Sequence, residues 1–354
     1  MKRLNVAIIG CGRISEAYKK AFLELIEQGE ADVVFCADVE IDRVKAYAAD
    51  FANCKASADY RDLFGMDIDV VHVATPHYLH HTMAIDCMEH GYNVLTEKPM
   101  AIDLDKADQM IETAKRTGKT FGVIFQTRYT KGCFEMKRII ESGELGKVLG
   151  ARSYLSWIRT YEYYHSCDWK GTWSGEGGGT LIDQAIHSMD RVQWLIGSDI
   201  DWAEGHCCAR NHSYLEVEDT AEALVGFKNG AMYHLYATNN YAINAPIEIE
   251  IVGEKGKMGL IRDLAWIEME GQERRELREN YDGIVVGKDY WGASHLTQIR
   301  DFYDSVRTGK PVFVDGPAGR KVLELIRGIY LSSQRGGQRI AFPFVDEPIE
   351  PMKP

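Results

Sequence analysis

The chain has 354 residues, of which 45% are hydrophobic and 27% charged, and its formal net charge is -12 at pH 7. This length exceeds what a single hydrophobic core usually supports, so we expect two domains. The negative charge, without a concentrated basic stripe, argues against nucleic acid and against anionic membrane surfaces as partners. No apolar stretch in the sequence is long enough to span a membrane.

The eight cysteines form no CxxC pair and no regular spacing. In a chain of this length the pattern predicts reduced thiols and a cytoplasmic protein. The first apolar run, residues 6–9, is too short for the hydrophobic region of a signal peptide and leads directly into a glycine turn. We therefore interpret it as the first strand of the fold.

Short apolar runs alternate with helical stretches from residue 3 to about residue 125. The runs lie at residues 6–9, 33–37, 70–74, 93–95 and 121–125, and each is short enough to be a buried strand. This alternation predicts an α/β domain at residues 1–125 with a parallel, doubly wound sheet.

The pattern changes after about residue 147. Residues 221–227, 231–238 and 247–252 show period-2 polarity, and an Asn-Gly turn at Asn229 and Gly230 joins the first two. These features predict a second α/β domain at residues 126–354 with a large, mostly antiparallel sheet. Helices are predicted near residues 131–141, 295–307 and 318–332.

A dinucleotide-binding turn is predicted where the first strand ends. Gly10-Cys11-Gly12-Arg13-Ile14-Ser15 follows that strand, and residues 14–28 form a credible helix whose N-terminus would face a pyrophosphate. Ser15 stands where a third glycine usually allows close packing, and its small side chain should be tolerated. The alternative is an ordinary turn between a strand and a helix.

An acidic residue, Asp38, lies at the end of the second apolar run, where a carboxylate would accept hydrogen bonds from a ribose. Glu40 would repel a 2′-phosphate, so the sequence favours NAD over NADP. A surface aspartate without a cofactor is the alternative interpretation.

Three glycines at residues 177–179 precede Asp183 and His187. A spacing of four residues would put both side chains on one face of a helix, and the glycines would bring backbone close to a cofactor. A histidine with a pKa near neutrality suits the removal of a hydroxyl proton. By itself such a pair is more often a solvated or capping pair.

A third stretch, Ala74-Thr75-Pro76-His77-Tyr78-Leu79-His80, is followed after the next strand by Glu97-Lys98-Pro99. With the glycine turn and the Gly-Gly-Gly-x-Leu-x-Asp-x-x-x-His segment, it resembles the Gfo/Idh/MocA family of oxidoreductases over nearly the whole chain. The resemblance implies an N-terminal Rossmann domain, an α/β second domain with a mostly antiparallel sheet, and a homo-oligomer, either a dimer or a tetramer.

The resemblance also implies roles for individual residues. Lys98 would be the catalytic lysine, completed by Asp183 and His187. The residues implied to line the NAD groove are Gly10, Gly12, Arg13, Ile14, Asp38, Arg43, Thr75, Pro76, His80, Glu97, Lys98 and Gln126. Two local departures, Gln184-Ala185 and the stretch at residues 126–129, leave the substrate open.

In the predicted chemistry, Lys98 donates a hydrogen bond to the reacting oxygen and His187 takes the hydroxyl proton. Asp183 would orient the imidazole or bind a second substrate hydroxyl. We also place Arg128, Trp169 and Trp173 in the substrate pocket, the tryptophans as a platform for a sugar ring. Aromatic residues that simply fill the core are an equal alternative.

No metal is expected, because the nearby histidines His77, His80 and His81 lack cysteine or carboxylate partners at ligand spacing. The leading hypothesis is an NAD-dependent dehydrogenase that acts on a ring hydroxyl of a sugar, glycoside, sugar nucleotide or cyclitol, with C3 favoured. One alternative is a glycosidase that oxidises and re-reduces its substrate with bound NAD. A cofactor-binding regulator is the other.

Overall fold

The structure, a computed structural model, describes residues 2–277 and 294–352. The described chain forms two compact units. The first contains residues 2–101, 105–126 and 294–320, and the second contains residues 102–104, 127–277 and 321–352. Each unit has its own sheet, as expected for a chain of this length.

The first unit is built on a six-stranded parallel sheet, which confirms the predicted doubly wound architecture. The strand order is β3-β2-β1-β4-β5-β6, and the order reverses on either side of β1, where nucleotides bind in such sheets. The strands are β1 (Leu4–Ile9), β2 (Ala31–Ala37), β3 (Lys55–Ser57), β4 (Val70–Val73), β5 (Asn93–Thr96) and β6 (Phe121–Val123).

The first helix, α1 (Arg13–Glu27), buries one apolar face. In α1, Tyr18, Phe22 and Leu25 repeat at helical spacing and are almost fully buried. The helices of this half are α1 (Arg13–Glu27), α2 (Ile41–Ala48), α3 (His77–Glu89) and α4 (Leu104–Thr117), with a short 3-10 turn at Tyr60–Leu63.

Helix α8 (His295–Thr308) belongs to the first unit. Its buried residues Ile299, Phe302 and Tyr303 pack into the same core as Tyr18 and Phe22 of α1. The sequence-based division assigned all residues after 125 to the second domain. The structure differs because the apolar face of α8 completes the core of the nucleotide-binding unit.

The second unit is built on a nine-stranded sheet in which most neighbouring strands are antiparallel, as predicted. Only β7 and β10 pair in parallel among its described strands. The strands are β7 (Val148–Ser156), β8 (Ile200–Cys208), β9 (Thr220–Phe227), β10 (Met232–Thr238), β11 (Glu248–Gly253), β12 (Gly256–Ile261), β13 (Leu264–Met269), β14 (Arg275–Leu277) and β15 (Ile340–Ala341).

Two helices, α5 (Lys131–Glu141) and α7 (Ile186–Ile196), pack against this sheet. Helix α5 matches its predicted bounds and is capped by Thr130, whose hydroxyl accepts a hydrogen bond from the Cys133 amide. The remaining α-helices within residues 2–277 and 294–352 are α6 (Tyr161–Tyr164) and α9 (Gly316–Gln334).

Candidate active site

The glycine turn of the first unit is shaped by the different demands at Gly10 and Gly12. Gly10 has a φ of +94°, and a Cβ there would lie 2.5 Å from the Ala74 carbonyl oxygen. Gly12 caps α1 with extended backbone, and a Cβ there would meet nothing within 4 Å. The turn is therefore tightly packed against Ala74 at Gly10. It is open at Gly12, directly before Arg13 and Ile14 begin the helix.

Asp38 lies directly after β2 and is tied to this turn. Its carboxylate accepts a hydrogen bond from the Cys11 amide at 2.9 Å and from Arg43 at 3.1 Å. Ser15 is fully buried, and its hydroxyl donates to the Gly12 carbonyl oxygen, so serine fits where a third glycine is usual. The acidic group thus lies beside the open end of the turn. Its predicted contact with a ribose stays a prediction.

Thr75 and Pro76 lie between β4 and α3, next to the same turn. The Thr75 hydroxyl is buried and, within the described residues, makes no hydrogen bond. Such an orphaned group at the carboxyl end of a strand fits a bound ligand that supplies the missing partner.

His80 is fully buried, and its two ring nitrogens lie 2.8 Å from the carbonyl oxygens of Pro99 and Thr75. Burial lowers the pKa of His80 to about 4. The ring therefore joins the backbone that carries Thr75 to the backbone that carries Lys98. Its predicted contact with NAD stays a prediction.

Lys98 follows β5 and is half-buried, and its amide donates to a Glu97 carboxylate oxygen at 3.0 Å. Gln126 is buried in the short 3-10 turn Gln126–Tyr129. The open Gly12, the carboxylate after β2 and the orphaned Thr75 hydroxyl together fit NAD in this unit.

In the second unit, neighbouring protein atoms leave no room for a side chain at the three glycines. A Cβ at Gly178 would lie 2.2 Å from the Tyr330 hydroxyl, and one at Gly179 would lie 1.9 Å from the Glu218 carbonyl oxygen. The Glu218 carboxylate accepts hydrogen bonds from the amides of Gly179 and Leu181 and from the Tyr330 hydroxyl, at 2.8, 2.8 and 2.9 Å. Packing within this unit thus requires the glycine run. The predicted close approach of its backbone to the cofactor stays a prediction.

Asp183 and His187 lie on consecutive parts of one helical segment. Asp183 belongs to a π-helical turn at Leu181–Ala185, and His187 lies in the first turn of α7. The predicted helix therefore begins with a π turn, in which the backbone winds more widely than in an α-helix. π turns of this kind occur frequently at functional sites.

Donors from three residues converge on one oxygen of the Asp183 carboxylate, Oδ2. Tyr163 donates its hydroxyl at 2.7 Å, Gln184 its amide at 2.5 Å, and Lys170 its ammonium at 3.0 Å. Gln184 also accepts a hydrogen bond from Asn239 at 3.1 Å.

Arg128 was predicted to contact the substrate, and the structure gives it a different partner. Its guanidinium makes two hydrogen bonds, of 2.6 and 2.5 Å, to the carboxylate of Asp190 in α7. Both side chains are nearly inaccessible to solvent. The geometry is that of a structural ion pair that anchors the segment after Gln126 to α7.

The two tryptophans of the predicted sugar platform have different surroundings. Trp173 donates its indole N–H to the Glu216 carbonyl oxygen at 2.9 Å and packs edge-on against Tyr330. The ring of Trp169 lies 4.5 Å from the Lys170 ammonium. A contact of either ring with a sugar stays a prediction.

Two comparisons with family descriptions cover most of the chain. Residues 4–125 match the oxidoreductase family with an NAD-binding Rossmann fold, and residues 134–259 match the GFO/IDH/MocA C-terminal domain. The chain belongs to the Gfo/Idh/MocA family. This family member is therefore an oxidoreductase with NAD as its cofactor, and the expected resemblance is confirmed.

Relatives of this family member include sugar and cyclitol dehydrogenases. It is 25% identical to myo-inositol 2-dehydrogenase of Thermotoga maritima, over 91% of this chain and 94% of the relative. It is 23% identical to D-glucoside 3-dehydrogenase of Escherichia coli, over 94% of this chain and 96% of the relative. The WlbA dehydrogenase of Bordetella pertussis, solved with NADH and UDP-GlcNAcA, superposes with a TM-score of 0.84 at 26% identity, covering 98% of this chain and 99% of that chain.

Lys170, Tyr163 and Glu218 were not predicted as site residues of this family member. The one available signal was Lys170 itself, a lysine between two tryptophans in an otherwise aromatic segment. In the described residues no group of three or more His, Cys, Asp or Glu could hold a metal ion, and no helix is long and apolar enough to cross a membrane.

Proposed function

We propose that this protein oxidises a secondary ring hydroxyl of a sugar, glycoside, sugar nucleotide or cyclitol, with C3 of a glycosyl ring as the favoured position. The observation that carries the proposal is the combination of an NAD cradle at Gly12 and Thr75 with an anchored Asp183 one turn before His187. The names of the relatives support the substrate class, and that of the E. coli relative supports C3.

The residues of the first unit bind and orient the cofactor. The amides at the start of α1 would meet the pyrophosphate, and the Asp38 carboxylate would accept hydrogen bonds from the adenosine ribose. Bound NAD supplies the acceptor for the carbinol hydrogen and its electron pair. Lys98 donates a hydrogen bond to the substrate oxygen and stabilises the negative charge that develops on it.

The residues of the second unit handle the proton and the sugar. His187 takes the hydroxyl proton as the carbon–oxygen double bond forms. The Asp183 carboxylate accepts hydrogen bonds from Tyr163, Lys170 and Gln184, which hold it in one orientation. Each turnover thus removes two electrons and two protons from the substrate, one proton going to His187.

The proposal is tested by NADH fluorescence of the purified protein with free sugars, glycosides, sugar nucleotides and inositols. We expect NADH to accumulate with one of these classes. Reduction of the product with sodium borodeuteride, followed by NMR, locates the oxidised carbon from the position of deuterium. No NADH with any member of the panel, together with release of free sugar from a glycoside, would contradict the dehydrogenase and favour the NAD-cycling glycosidase.

Lys98→Met tests the lysine separately from cofactor binding. We expect the variant to lose at least about 10²-fold in kcat, because the donor to the developing charge is gone. Thermal shift with NADH should remain as in the wild type. Unchanged turnover would remove Lys98 from the mechanism.

A further inference from the structure

The second unit contains a buried cation, Lys170, whose surroundings are almost entirely acidic or aromatic. Its ammonium lies 3.0 Å from Asp183 Oδ2, 2.9 Å from the Tyr163 hydroxyl and 3.5 Å from a Glu176 oxygen. The rings of Trp169 and Tyr163 lie 4.5 and 4.6 Å from the same nitrogen. The side chain of Lys170 is 10% exposed and that of Asp183 is 12% exposed.

The charge states in this cluster follow from the balance between burial and these contacts. Burial by itself would lower the pKa of Lys170, but Asp183, Tyr163 and Glu176 together raise it well above the ordinary lysine value. Burial and the neighbouring Asp183 raise the pKa of Tyr163, so the phenol remains a donor. Burial raises the pKa of Glu176 to about 8, against the opposing effect of Lys170.

Asp183 is the group on which these donors converge. Hydrogen bonds to the charged form of a carboxylate, and a cation within about 4 Å, both favour ionisation. Three donors on Oδ2 also restrict the rotation of the carboxylate. A group held in this way is suited to orientation and poorly suited to accepting a proton during turnover.

We propose that Lys170 is a positioning residue which, with Tyr163, keeps Asp183 ionised and in one orientation, so that proton transfer is left to His187. This inference rests on the proposed function and adds a residue to it. The charged and titratable groups that surround the cluster are Asp183, Tyr163, Tyr164, Arg159, Glu176 and Glu218.

A first experiment needs neither substrate nor cofactor. The carboxyl carbon of Asp183 is followed by NMR as a function of pH in protein labelled with ¹³C-aspartate, with Asp183→Asn used to assign the signal. In Lys170→Met we expect the titration midpoint of Asp183 to rise by about 1 to 3 pH units, because the adjacent cation is gone. Lys170→Arg should retain a midpoint near that of the wild type.

Two further variants keep this test decisive. Tyr163→Phe removes one donor to Oδ2 but keeps the cation, and we expect a smaller rise in the midpoint, which can be measured even if Lys170→Met does not fold. Lys147→Met changes an exposed lysine of the same unit and should leave the midpoint unchanged. The inference would be overturned if Asp183 titrated with the wild-type midpoint in both Lys170→Met and Tyr163→Phe. If Lys170→Met does not fold, a wild-type midpoint in Tyr163→Phe would overturn it.

A second experiment uses the pH profile of kcat with the carbohydrate that the wild type oxidises. In Lys170→Met we expect kcat to fall by about 10²-fold, as misplaced catalytic groups do, and its acidic limb to move to higher pH. Lys170→Arg should restore most of the rate. A purely structural role would lower the yield of folded enzyme and leave the profile in place, which would contradict the inference. Absence of turnover in the wild type would contradict the proposed function alone, since the NMR titration still decides the role of Lys170.

Discussion

Gly10 and Gly12 lie two residues apart in one turn, yet a methyl group at each would act differently. Gly10 has a left-handed backbone and is packed against Ala74, whereas Gly12 has an ordinary φ of -85° and faces open space. The first glycine therefore serves the fold of the Rossmann unit. The second leaves open space at the start of α1, where we propose that the cofactor binds.

This difference gives a pair of matched variants. Gly10→Ala should lower the free energy of unfolding by about 1 to 3 kcal/mol or more, because the backbone is strained and the methyl group collides with a carbonyl group. Gly12→Ala should change stability by no more than about 0.5 kcal/mol. It should nevertheless weaken NADH binding by at least about tenfold, since the methyl group occupies the space for the pyrophosphate.

Urea unfolding and NADH titration of the two variants provide the measurements. Wild-type affinity for NADH in Gly12→Ala would show that the open space at this turn is not the pyrophosphate site.

At the scale of elements, the turn Gln126–Tyr129 is joined to α7 by the buried ion pair of Arg128 and Asp190. Burial raises the pKa of Asp190, and the Arg128 cation opposes this effect. Removal of one partner would leave a buried charge without compensation, which is costly. The pair therefore connects two secondary-structure elements of the second unit.

Arg128→Met should lower the free energy of unfolding by about 3 to 5 kcal/mol. Arg152→Met serves as the control, because Arg152 is half exposed and pairs with Glu250 on the sheet surface. Arg152→Met should lower the free energy of unfolding by only about 0.2 to 1 kcal/mol. If Arg128→Met instead retained full stability and raised the KM for the carbohydrate, the original prediction of a substrate contact would hold.

The glycine run and the π turn are anchored by Glu218, and this contact should make stability depend on pH. Burial raises the pKa of Glu218 to about 7, although three hydrogen bonds favour its charged form. The ordinary pKa in the unfolded chain is 4.5. As pH rises from about 4.5 to about 7, the unfolded state ionises first, so this group's contribution to stability is present below that window and lost across it.

Glu218→Gln removes this titration. We expect the variant to be less stable than the wild type at pH 5, because an amide nitrogen would face a backbone N–H. The difference should shrink by pH 8, where the wild type has lost the contribution of the protonated acid. Urea unfolding of both proteins at pH 5 and pH 8 measures the difference in the free energy of unfolding. An equal difference at the two pH values would contradict the raised pKa of Glu218.

At the scale of the whole molecule, one surface of the nine-stranded sheet faces away from α5 and α7. Leu224, Val252 and Ile261 share this surface by strand register, and each is more than a third exposed. The resemblance to the family implies a homo-oligomer, either a dimer or a tetramer. Partly exposed apolar side chains on a broad sheet are consistent with such an interface.

Light scattering coupled to gel filtration should therefore give the mass of a dimer or a tetramer. Val252→Asp should shift the population towards monomers, since it places a charge within the apolar surface. Val345→Asp is the control, because Val345 is 80% exposed in the C-terminal segment of the same unit. A wild-type protein that is monomeric at micromolar concentration would contradict the prediction.

Local patterns in the sequence were sufficient for most of the architecture. Uninterrupted apolar runs predicted five of the six strands of the first sheet, and runs of period two predicted β9, β10 and β11 of the second. The glycine turn with Asp38 predicted the NAD site. These features depend on residues close in the chain, where backbone geometry and burial impose a regular spacing. In the first sheet, β3 was missed because three residues carry too little periodicity. In the second sheet, β7, β8 and β12 to β15 were not predicted.

Tertiary structure alone decided the partners of the buried polar side chains. Arg128 and Asp190 are 62 residues apart in the chain, and Tyr330 and Glu218, which meet at the glycine run, are 112 apart. The return of α8 to the first unit is likewise a long-range event. The sequence by itself determined the fold class, the cofactor and the catalytic candidates, because their signals are local. The partners of Asp183 depended on the tertiary fold, because a buried polar group finds its hydrogen bonds wherever the chain brings a donor.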